Sequence, residues 1–200
     1  MKAIAFDLGK VIFDFDYNIA LDKIKDKVKV SKDKIIEEIF VNNFGLEFEK
    51  GLQSSNEFYL EFKNKFRASL NYNEFAGAWS NIFSPKIEII EVIKKLNMRY
   101  PLYLISNTNE LHFGYLYSEY RKVFFMFDEL ILSFKVKSVK PDIKIYSILK
   151  EMSGIEFKDI IYIDDRQDLI FAAKDIGLVS IQFKDYGQLI EDFKKNKIFV

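Results

Sequence analysis

Polar side chains of types that work together in phosphoryl transfer stand at four places in the sequence, each beside an apolar run or a proline. In chain order they are Asp7, Ser106 with Asn107, Lys140, and Asp164 with Asp165. A carboxylate can attack phosphorus and divide a difficult hydrolysis into two easier displacements. A hydroxyl with an amide, a lysine and paired carboxylates add hydrogen bonds, positive charge and metal ligands. The set therefore predicts phosphoryl transfer through an aspartyl intermediate.

The segments that carry these groups have the pattern of strands buried on both faces. Residues 3–6, 102–105 and 160–163 are short and almost wholly apolar, which is typical of a parallel sheet covered by helices. Such sheets bind their ligands at the carboxyl ends of the strands. A single Asp, Ser or Asn after a strand often only begins a turn or caps a helix. Four such places in one chain favour a reaction site.

The motifs resemble those of the haloacid-dehalogenase-like hydrolase superfamily. They are Phe-Asp-Leu-Gly at 6–9, Ser-Asn-Thr-Asn at 106–109, Val-Lys-Pro at 139–141 and Ile-Asp-Asp at 163–165. Their order and context resemble the superfamily's small bacterial phosphatases, in particular a glucose-1-phosphate-phosphatase-like branch. The resemblance spans nearly the whole chain. It implies a Mg²⁺-dependent phosphatase that hydrolyses a small phosphorylated metabolite, possibly a sugar phosphate, through an aspartyl-phosphate.

The resemblance also implies a metal site. In this family Mg²⁺ is held by the nucleophile, by the main-chain carbonyl two residues later and by acidic residues after the fourth strand. Those positions correspond to Asp7, Gly9 and Asp165, with Asp164 as a weaker ligand or a supporting partner. Mg²⁺ suits this set because it prefers oxygen ligands.

The same resemblance assigns roles to the other groups. Ser106 and Asn107 are expected to donate hydrogen bonds to the phosphoryl oxygens, and a helix that begins just after them would add free amides. Lys140 is expected to neutralise the crowded carboxylates and the phosphate as a catalytic residue.

Gly9 departs from the family pattern, because these phosphatases usually carry a second aspartate there as general acid and base. Asp14, Asp16 or a metal-polarised water are the possible substitutes. Without a positioned acid, esters with poor leaving groups should be hydrolysed slowly.

Two other functions stay open. A haloacid dehalogenase needs neither the second acid nor a metal, but it needs a guanidinium, and none of Arg67, Arg99, Arg121 and Arg166 is near Asp7 in sequence. A catalytically silent binding module is the third possibility, suggested by Gly9 and by Leu169, which stands where a polar residue is common.

The predicted fold is α/β: a Rossmann-like three-layer sandwich with a mostly parallel sheet and an inserted helical cap. Strands and helices alternate after residue 84, and this alternation implies right-handed crossover connections and a mostly parallel sheet. Residues 1–16 and 84–200 are assigned to the core domain, and residues 17–83, with about four amphipathic helices, to the cap domain. Glu49, Lys50 and Gly51 lie at a break between cap helices and are candidates for substrate selection.

Two local predictions accompany this division. Residues 11–16 alternate apolar and acidic side chains, which favours a short hairpin or flap beside the site. Pro85 is expected in the first turn of a helix whose apolar face is Ile87, Ile90, Ile93 and Leu96.

The composition of the chain limits the classes of molecule that it is expected to bind. The 200 residues carry 30 basic and 30 acidic side chains and no cysteine, so no excess charge points to nucleic acid and no thiolate site exists. No apolar run is long enough to span a bilayer. We expect a small phosphorylated substrate, no nucleic-acid or membrane partner, a monomer or homodimer, and a cytoplasmic location.

Overall fold

A five-stranded parallel sheet forms the centre of the computed structural model, which describes residues 2–200. Its strand order is β5-β4-β1-β6-β7, and β2 and β3 form a separate antiparallel pair. The strands are β1 (Ala3–Phe6), β2 (Phe13–Phe15), β3 (Phe83–Pro85), β4 (Leu102–Ser106), β5 (Glu129–Leu132), β6 (Ile160–Asp164) and β7 (Val179–Gln182).

Helices cover both faces of the sheet and fill the segment between β2 and β3. They are α1 (Tyr17–Ile24), α2 (Lys32–Phe40), α3 (Leu46–Glu49), α4 (Ser55–Lys65), α5 (Tyr72–Ser80), α6 (Ile87–Leu96), α7 (Glu110–Glu119), α8 (Arg121–Phe124), α9 (Ser133–Val136), α10 (Ile143–Ser153), α11 (Gln167–Asp175) and α12 (Tyr186–Lys195). Short 3₁₀ turns occupy Lys25–Lys27 and Phe157–Asp159. Among residues 2–200, no helix has both the length and the apolar character that crossing a lipid bilayer needs.

The central strand β1 shows why the layers form. All four of its residues are fully buried, and successive side chains point to opposite faces because a strand has a period of two. Ile4 and Phe6 join the hydrophobic cluster on one face, whereas Ala3 and Ala5 join the cluster on the other. The predicted three-layer α/β sandwich is confirmed.

Helices α1 to α5 pack around a third hydrophobic cluster, which is rich in aromatic rings. Phe58 lies at its centre, stacked on Phe48 and edge-on to Trp79. Capping boxes at Ser54 and Asn71 begin α4 and α5. A helical region with its own core is what an inserted cap requires, and it has five α-helices rather than about four. The exact division at residues 17 and 83 stays a prediction.

The prediction that Pro85 begins a helix is wrong. Residues 83–85 form β3, which pairs with β2, and the Lys86 amide donates to the Ile12 carbonyl at 2.9 Å. The chain therefore returns from the cap beside the strand by which it left the core. Helix α6 starts at Ile87, which is 60% exposed. The helix begins later than predicted and turns a different face to the core. Its buried residues are Ile89, Val92, Ile93 and Leu96.

The cap contacts the core at the break after α3. The hydroxyl of Ser133, at the end of β5, accepts a hydrogen bond from the Thr108 amide at 2.9 Å. Its single hydrogen is shared between the carbonyls of Glu49 at 2.7 Å and Thr108 at 2.8 Å. Gly51 packs so closely that a Cβ there would lie 1.9 Å from the carbonyl oxygen of Phe134. The cap backbone thus lies directly against the core.

We expect Gly51→Ala to destabilise the protein more than Gly154→Ala. The two glycines have φ of +66° and +65°, but a Cβ on Gly154 meets nothing within 4 Å. The left-handed backbone alone costs an alanine about 1–2 kcal/mol, and Gly51→Ala adds the clash with Phe134. Urea titration gives the free energy of unfolding of the parent and of both variants. Equal losses would show that the Gly51 contact adds no constraint.

Candidate active site

Three carboxylates meet at the carboxyl edge of the sheet. Asp7 directly follows β1 and Asp164 ends β6, and these strands are neighbours, with Phe6 beside Ile163. The Asp7 amide donates to the Ile163 carbonyl at 2.8 Å. One carboxylate oxygen each of Asp7, Asp164 and Asp165 lies within 4.8 Å of the others. Strand register therefore creates a concentrated negative charge.

Lys140 places a cation inside this cluster. Its Nζ donates to Asp7 Oδ1 and to Asp164 Oδ2, each at 2.6 Å, and its side chain is 1% exposed. The Asn107 side chain holds the lysine backbone in place, because its Oδ1 accepts from the Lys140 amide at 2.7 Å and its Nδ2 donates to the Lys140 carbonyl at 3.0 Å. The loop after β4 and the loop before α10 are thereby joined at the site.

The two adjacent carboxylates after β6 differ in their surroundings. Asp164 is fully buried; its Oδ2 accepts from Lys140 and from the Tyr162 hydroxyl, and its Oδ1 accepts from the Arg166 amide at 2.9 Å. The carboxylate of Asp165 is only partly buried and accepts no hydrogen bond from another residue in 2–200. Asp164 is thus held inside the protein, whereas Asp165 is available to a ligand.

Burial sets the electrostatics of the cluster. Removal from water raises the pKa of Asp7 to about 7, a change that Lys140 opposes and Asp164 increases. Burial and the Asp164 charge also raise the pKa of Asp165. Burial acts to lower the pKa of Lys140, but Asp164 and Asp7 outweigh it and the pKa is raised. Lys140 therefore stays charged, and it does not fully compensate its neighbours.

Ser106, the last residue of β4, and Asn107 differ in their surroundings, because only Asn107 is among the residues that line the cavity. Ser106 is 2% exposed and its hydroxyl is 3.4 Å from the Asn107 carbonyl. Asn107 lines the cavity above the site, but its amide binds the Lys140 backbone. Asn109 caps α7 by accepting from the His112 amide at 3.0 Å. The phosphate-binding role of Ser106 and Asn107 stays a prediction, and Asn107 has a positioning role that the sequence did not reveal.

A cavity of about 950 Å³ separates the carboxylate cluster from the cap. Its lower wall includes Asp7, Lys140 and Asp165, and its upper wall includes Tyr17 and Glu49 from the cap. The cavity is large enough for a phosphoryl group together with a small organic group. Of the candidates at the cap break, Glu49 lines the cavity, whereas Gly51 packs on Phe134.

The loop after Asp7 has its own arrangement. The Gly9 carbonyl faces no backbone amide donor within residues 2–200. A Cβ on Gly9 would lie 3.0 Å from the Phe15 ring. Asp14 bonds to the Lys10 ammonium, and Asp16 caps α1. The flap predicted at residues 11–16 exists; β2 pairs with the distant β3, and its first residue, Phe13, also bridges to Gly9.

Three residues of the site were missed in the sequence. Tyr162 precedes Asp164 by two positions, so it lies on the same face of β6, and that spacing was a usable signal. Arg166 lines the cavity with Asp7 although it is far from Asp7 in sequence. Ser133 gave no signal, because a serine after a strand is common. The argument against a dehalogenase from the distance of the arginines is therefore wrong.

The residues present fit a divalent metal. The set consists of carboxylate oxygens with an unbonded main-chain carbonyl nearby, and hard oxygen donors are what Mg²⁺ prefers. The partly buried Asp165 gives such an ion a ligand that no other side chain within residues 2–200 occupies.

Comparison with known proteins identifies the family. The model for haloacid dehalogenase-like hydrolases matches residues 1–177. The chain belongs to the haloacid dehalogenase-like hydrolases. This confirms the resemblance inferred from the four motifs, while the glucose-1-phosphate-phosphatase-like branch stays a prediction.

Relatives within the family include an enzyme named D-ribitol-5-phosphate phosphatase from Bacteroides thetaiotaomicron, 25% identical over 188 residues, or 91% of each chain. A structure of a family enzyme from the same organism, solved with magnesium and inorganic phosphate, has a TM-score of 0.82 and 26% identity and covers 94% of this chain and 98% of its own. An L-2-haloacid dehalogenase from Xanthobacter autotrophicus shares the fold. Its TM-score is 0.67 at 14% identity, and the match covers 100% of this chain and 85% of the dehalogenase.

We expect Asp7→Asn to stabilise the metal-free protein at neutral and alkaline pH. The folded-state pKa of Asp7, about 7, exceeds its ordinary value of 3.8, so the folded protein binds this proton more tightly. Asp7 therefore makes the free energy of unfolding fall as pH rises from about 4 to about 7. The asparagine variant cannot lose stability in this way. Above pH 7 its free energy of unfolding should therefore exceed that of the parent by on the order of 1–4 kcal/mol.

Urea unfolding in EDTA at several pH values measures this difference, which should shrink toward pH 4. Asp26→Asn, an exposed site in the cap, is the control for the substitution itself, and the gain of Asp7→Asn should exceed it above pH 7. A gain for Asp7→Asn that is the same at all pH values would contradict the raised pKa.

Proposed function

We propose that this hydrolase is a Mg²⁺-dependent phosphatase that acts on a small phosphorylated metabolite through an aspartyl-phosphate intermediate. The observation that carries the proposal is the cluster of Asp7, Asp164 and Asp165 around Lys140, at the sheet edge and open to a cavity. Such a site has a nucleophile, a fixed cation and a place for a second cation.

Asp7 is the nucleophile in this proposal. Its Oδ1 is bound by Lys140, and its Oδ2 accepts no hydrogen bond from the described residues. The Oδ2 atom is therefore the oxygen free to attack phosphorus. Lys140 holds the carboxylate in a fixed orientation and offsets part of the charge that accumulates as a phosphate approaches.

Asp7, Asp165 and the Gly9 carbonyl would hold Mg²⁺, with Asp164 supporting the site through Lys140. The ion would supply positive charge that lowers the repulsion between carboxylate and phosphate. A related structure with magnesium and inorganic phosphate supports this cofactor. Ser106 and the amides near the start of α7 are the proposed donors to the remaining phosphoryl oxygens.

The proposed substrate is a phosphate ester of a small polyhydroxylated molecule, either a sugar or a sugar alcohol. The volume of about 950 Å³ exceeds what a phosphate alone fills. The relative named for D-ribitol-5-phosphate supports the sugar-alcohol form, and the motif resemblance supports the sugar form.

A haloacid dehalogenase is the second candidate, because Arg166 lines the cavity and a guanidinium can bind a substrate carboxylate. However, Arg166 Nε and Nη2 both bind Asp168, at 3.1 and 2.6 Å. A cluster of three carboxylates also suits a metal better than an anionic organic acid. Chloride release from a 2-haloacid tests this candidate directly.

We expect Asp7→Asn to abolish phosphatase activity while the protein stays folded. The amide has the same shape as the carboxylate but cannot attack phosphorus. Release of inorganic phosphate from para-nitrophenyl phosphate measures turnover, and circular dichroism checks the fold. Mass measurement must exclude deamidation. Near-parental activity in the intact variant would rule out Asp7 as the nucleophile.

We expect EDTA to stop phosphate release and Mg²⁺ to restore it. Asp165→Ala should raise the Mg²⁺ concentration needed for half-maximal activity by more than about tenfold, because it removes a proposed ligand. Asp26→Ala, an exposed cap aspartate, is the matched control and should need no more than the parent. Full activity in EDTA would contradict the metal requirement.

A further inference from the structure

The proposed reaction needs a proton donor that the core does not supply. When the ester bond breaks, the leaving oxygen must take up a proton unless it is a stable anion. Gly9 has no side chain to give one, and the Phe15 ring lies 3.0 Å from the point where a Cβ would stand. The space next to Gly9 is thus filled by an aromatic ring.

The two acidic side chains of the flap are already engaged. Asp14 binds the Lys10 ammonium and accepts from the Phe15 amide at 2.9 Å. The Lys10 hydrogen bond lowers the pKa of Asp14, which keeps it ionised. Asp16 accepts from the Asn18 amide at 2.8 Å and from the Asn18 side chain at 2.9 Å. Both carboxylates are thus held by partners within the flap, and the ionised Asp14 has no proton to donate.

Glu49 is the remaining acid at the cavity outside the metal cluster. Within residues 2–200, it is the only carboxyl group that the cap contributes to the cavity lining. It forms no ion pair with the described residues, and its side-chain oxygens accept no hydrogen bond from them. An acid that lines a binding cavity with its hydrogen-bonding capacity unused is placed to meet a ligand.

The backbone position of Glu49 is fixed relative to the loop after β4. Its carbonyl accepts from the Ser133 hydroxyl at 2.7 Å, and the same hydroxyl accepts from the Thr108 amide at 2.9 Å. Asp7 lies on the sheet side of the cavity and Glu49 on the cap side. In phosphoryl transfer the attacking and leaving oxygens lie roughly in line, so a leaving group opposite Asp7 points toward the cap.

We propose that Glu49 is the general acid and base of this site, an inference that rests on the proposed phosphatase function. In the first step an Asp7 oxygen bonds to phosphorus and the ester P–O bond breaks. The electron pair of the broken P–O bond stays on the leaving oxygen, which takes the proton of Glu49. In the second step water attacks phosphorus, Glu49 takes a proton from that water, and the bond between phosphorus and Asp7 breaks. Glu49 is thereby protonated again.

The local environment supports both roles. Burial raises the pKa of Glu49 to about 7, with Arg166 opposing the shift. The group next to it in the cap, the Tyr17 hydroxyl, has its pKa raised by burial and by the Glu49 charge. A carboxyl with a pKa near neutrality populates both the form that donates and the form that accepts a proton.

The test compares leaving groups in Glu49→Gln. Phenyl phosphate and para-nitrophenyl phosphate have similar shapes, but phenolate is the poorer leaving group. We expect Glu49→Gln to lower single-turnover hydrolysis of phenyl phosphate by about a hundredfold or more and to change that of para-nitrophenyl phosphate by less than about tenfold. In the parent, the rates for the two esters should differ little. If no acid replaced the one missing at Gly9, phenyl phosphate would instead be hydrolysed much more slowly than para-nitrophenyl phosphate.

Glu47→Gln is the matched control, because Glu47 is an exposed residue of the same short helix, paired with Lys50. It should hydrolyse both esters at parental rates. Glu49→Asp, which keeps a carboxyl group, should recover part of the phenyl phosphate rate. This second variant keeps the test decisive if Glu49→Gln folds poorly, because an aspartate variant that folds yet shows the full selective loss or no loss would contradict the role.

Other outcomes separate this inference from the proposed function. Equal losses on both esters in Glu49→Gln would make Glu49 a binding residue and overturn its role as an acid. Unchanged rates on both esters would overturn it as well. In either case the parent would still be a phosphatase. A parent that releases phosphate from neither ester, with Mg²⁺ present, would overturn the proposed function itself and the role of Glu49 with it.

Discussion

The contact of Lys140 with Asp7 and Asp164 is the interaction on which the rest of the site depends. Three carboxylates whose oxygens approach within 4.8 Å repel each other strongly when buried, and a single ammonium ion at 2.6 Å from two of them compensates only in part. Burial raises the pKa of Asp7, the Asp164 charge adds to the shift, and Lys140 opposes it without cancelling it. The protein therefore keeps a site whose own stability would improve if the charge were removed, as is common where function requires it.

Much of the surrounding structure serves to hold that one lysine. Asn107 binds both the amide and the carbonyl of Lys140, so the loop after β4 fixes the loop before α10. Ser133 then joins the β4 loop to the cap through Thr108 and Glu49. A buried hydroxyl with partners on both sides is costly to move, because each partner would be left without a hydrogen bond. The position of the cap is in this way connected to the position of the cation.

The sequence predicted those parts of the molecule that local pattern determines. Runs such as residues 3–6 and 160–163 are apolar because both faces of the strands are buried, and the capping boxes at Ser54 and Asn71 are set by spacing alone. Pro85 was misplaced because its conformation depends on β2, about seventy residues earlier in the chain. The role of Ser133 and the closeness of Arg166 to the site were missed for the same reason. Their roles come from partners brought close by folding, and neither residue type is unusual at its position in the sequence.

The absence of an acid at Gly9 has a physical logic once Glu49 is considered. An acid two residues after Asp7 would belong to the same loop as Asp7, the proposed nucleophile, and would add a further negative charge beside three carboxylates that share one lysine. On the cap, the acid is separated from the cluster by the cavity, and its pKa is governed by burial rather than by the other carboxylates. The proton donor is then in position only while α3 lies against α9, through Ser133 and Gly51. In the proposed mechanism, protonation of the leaving oxygen thereby depends on the position of the cap over the cavity.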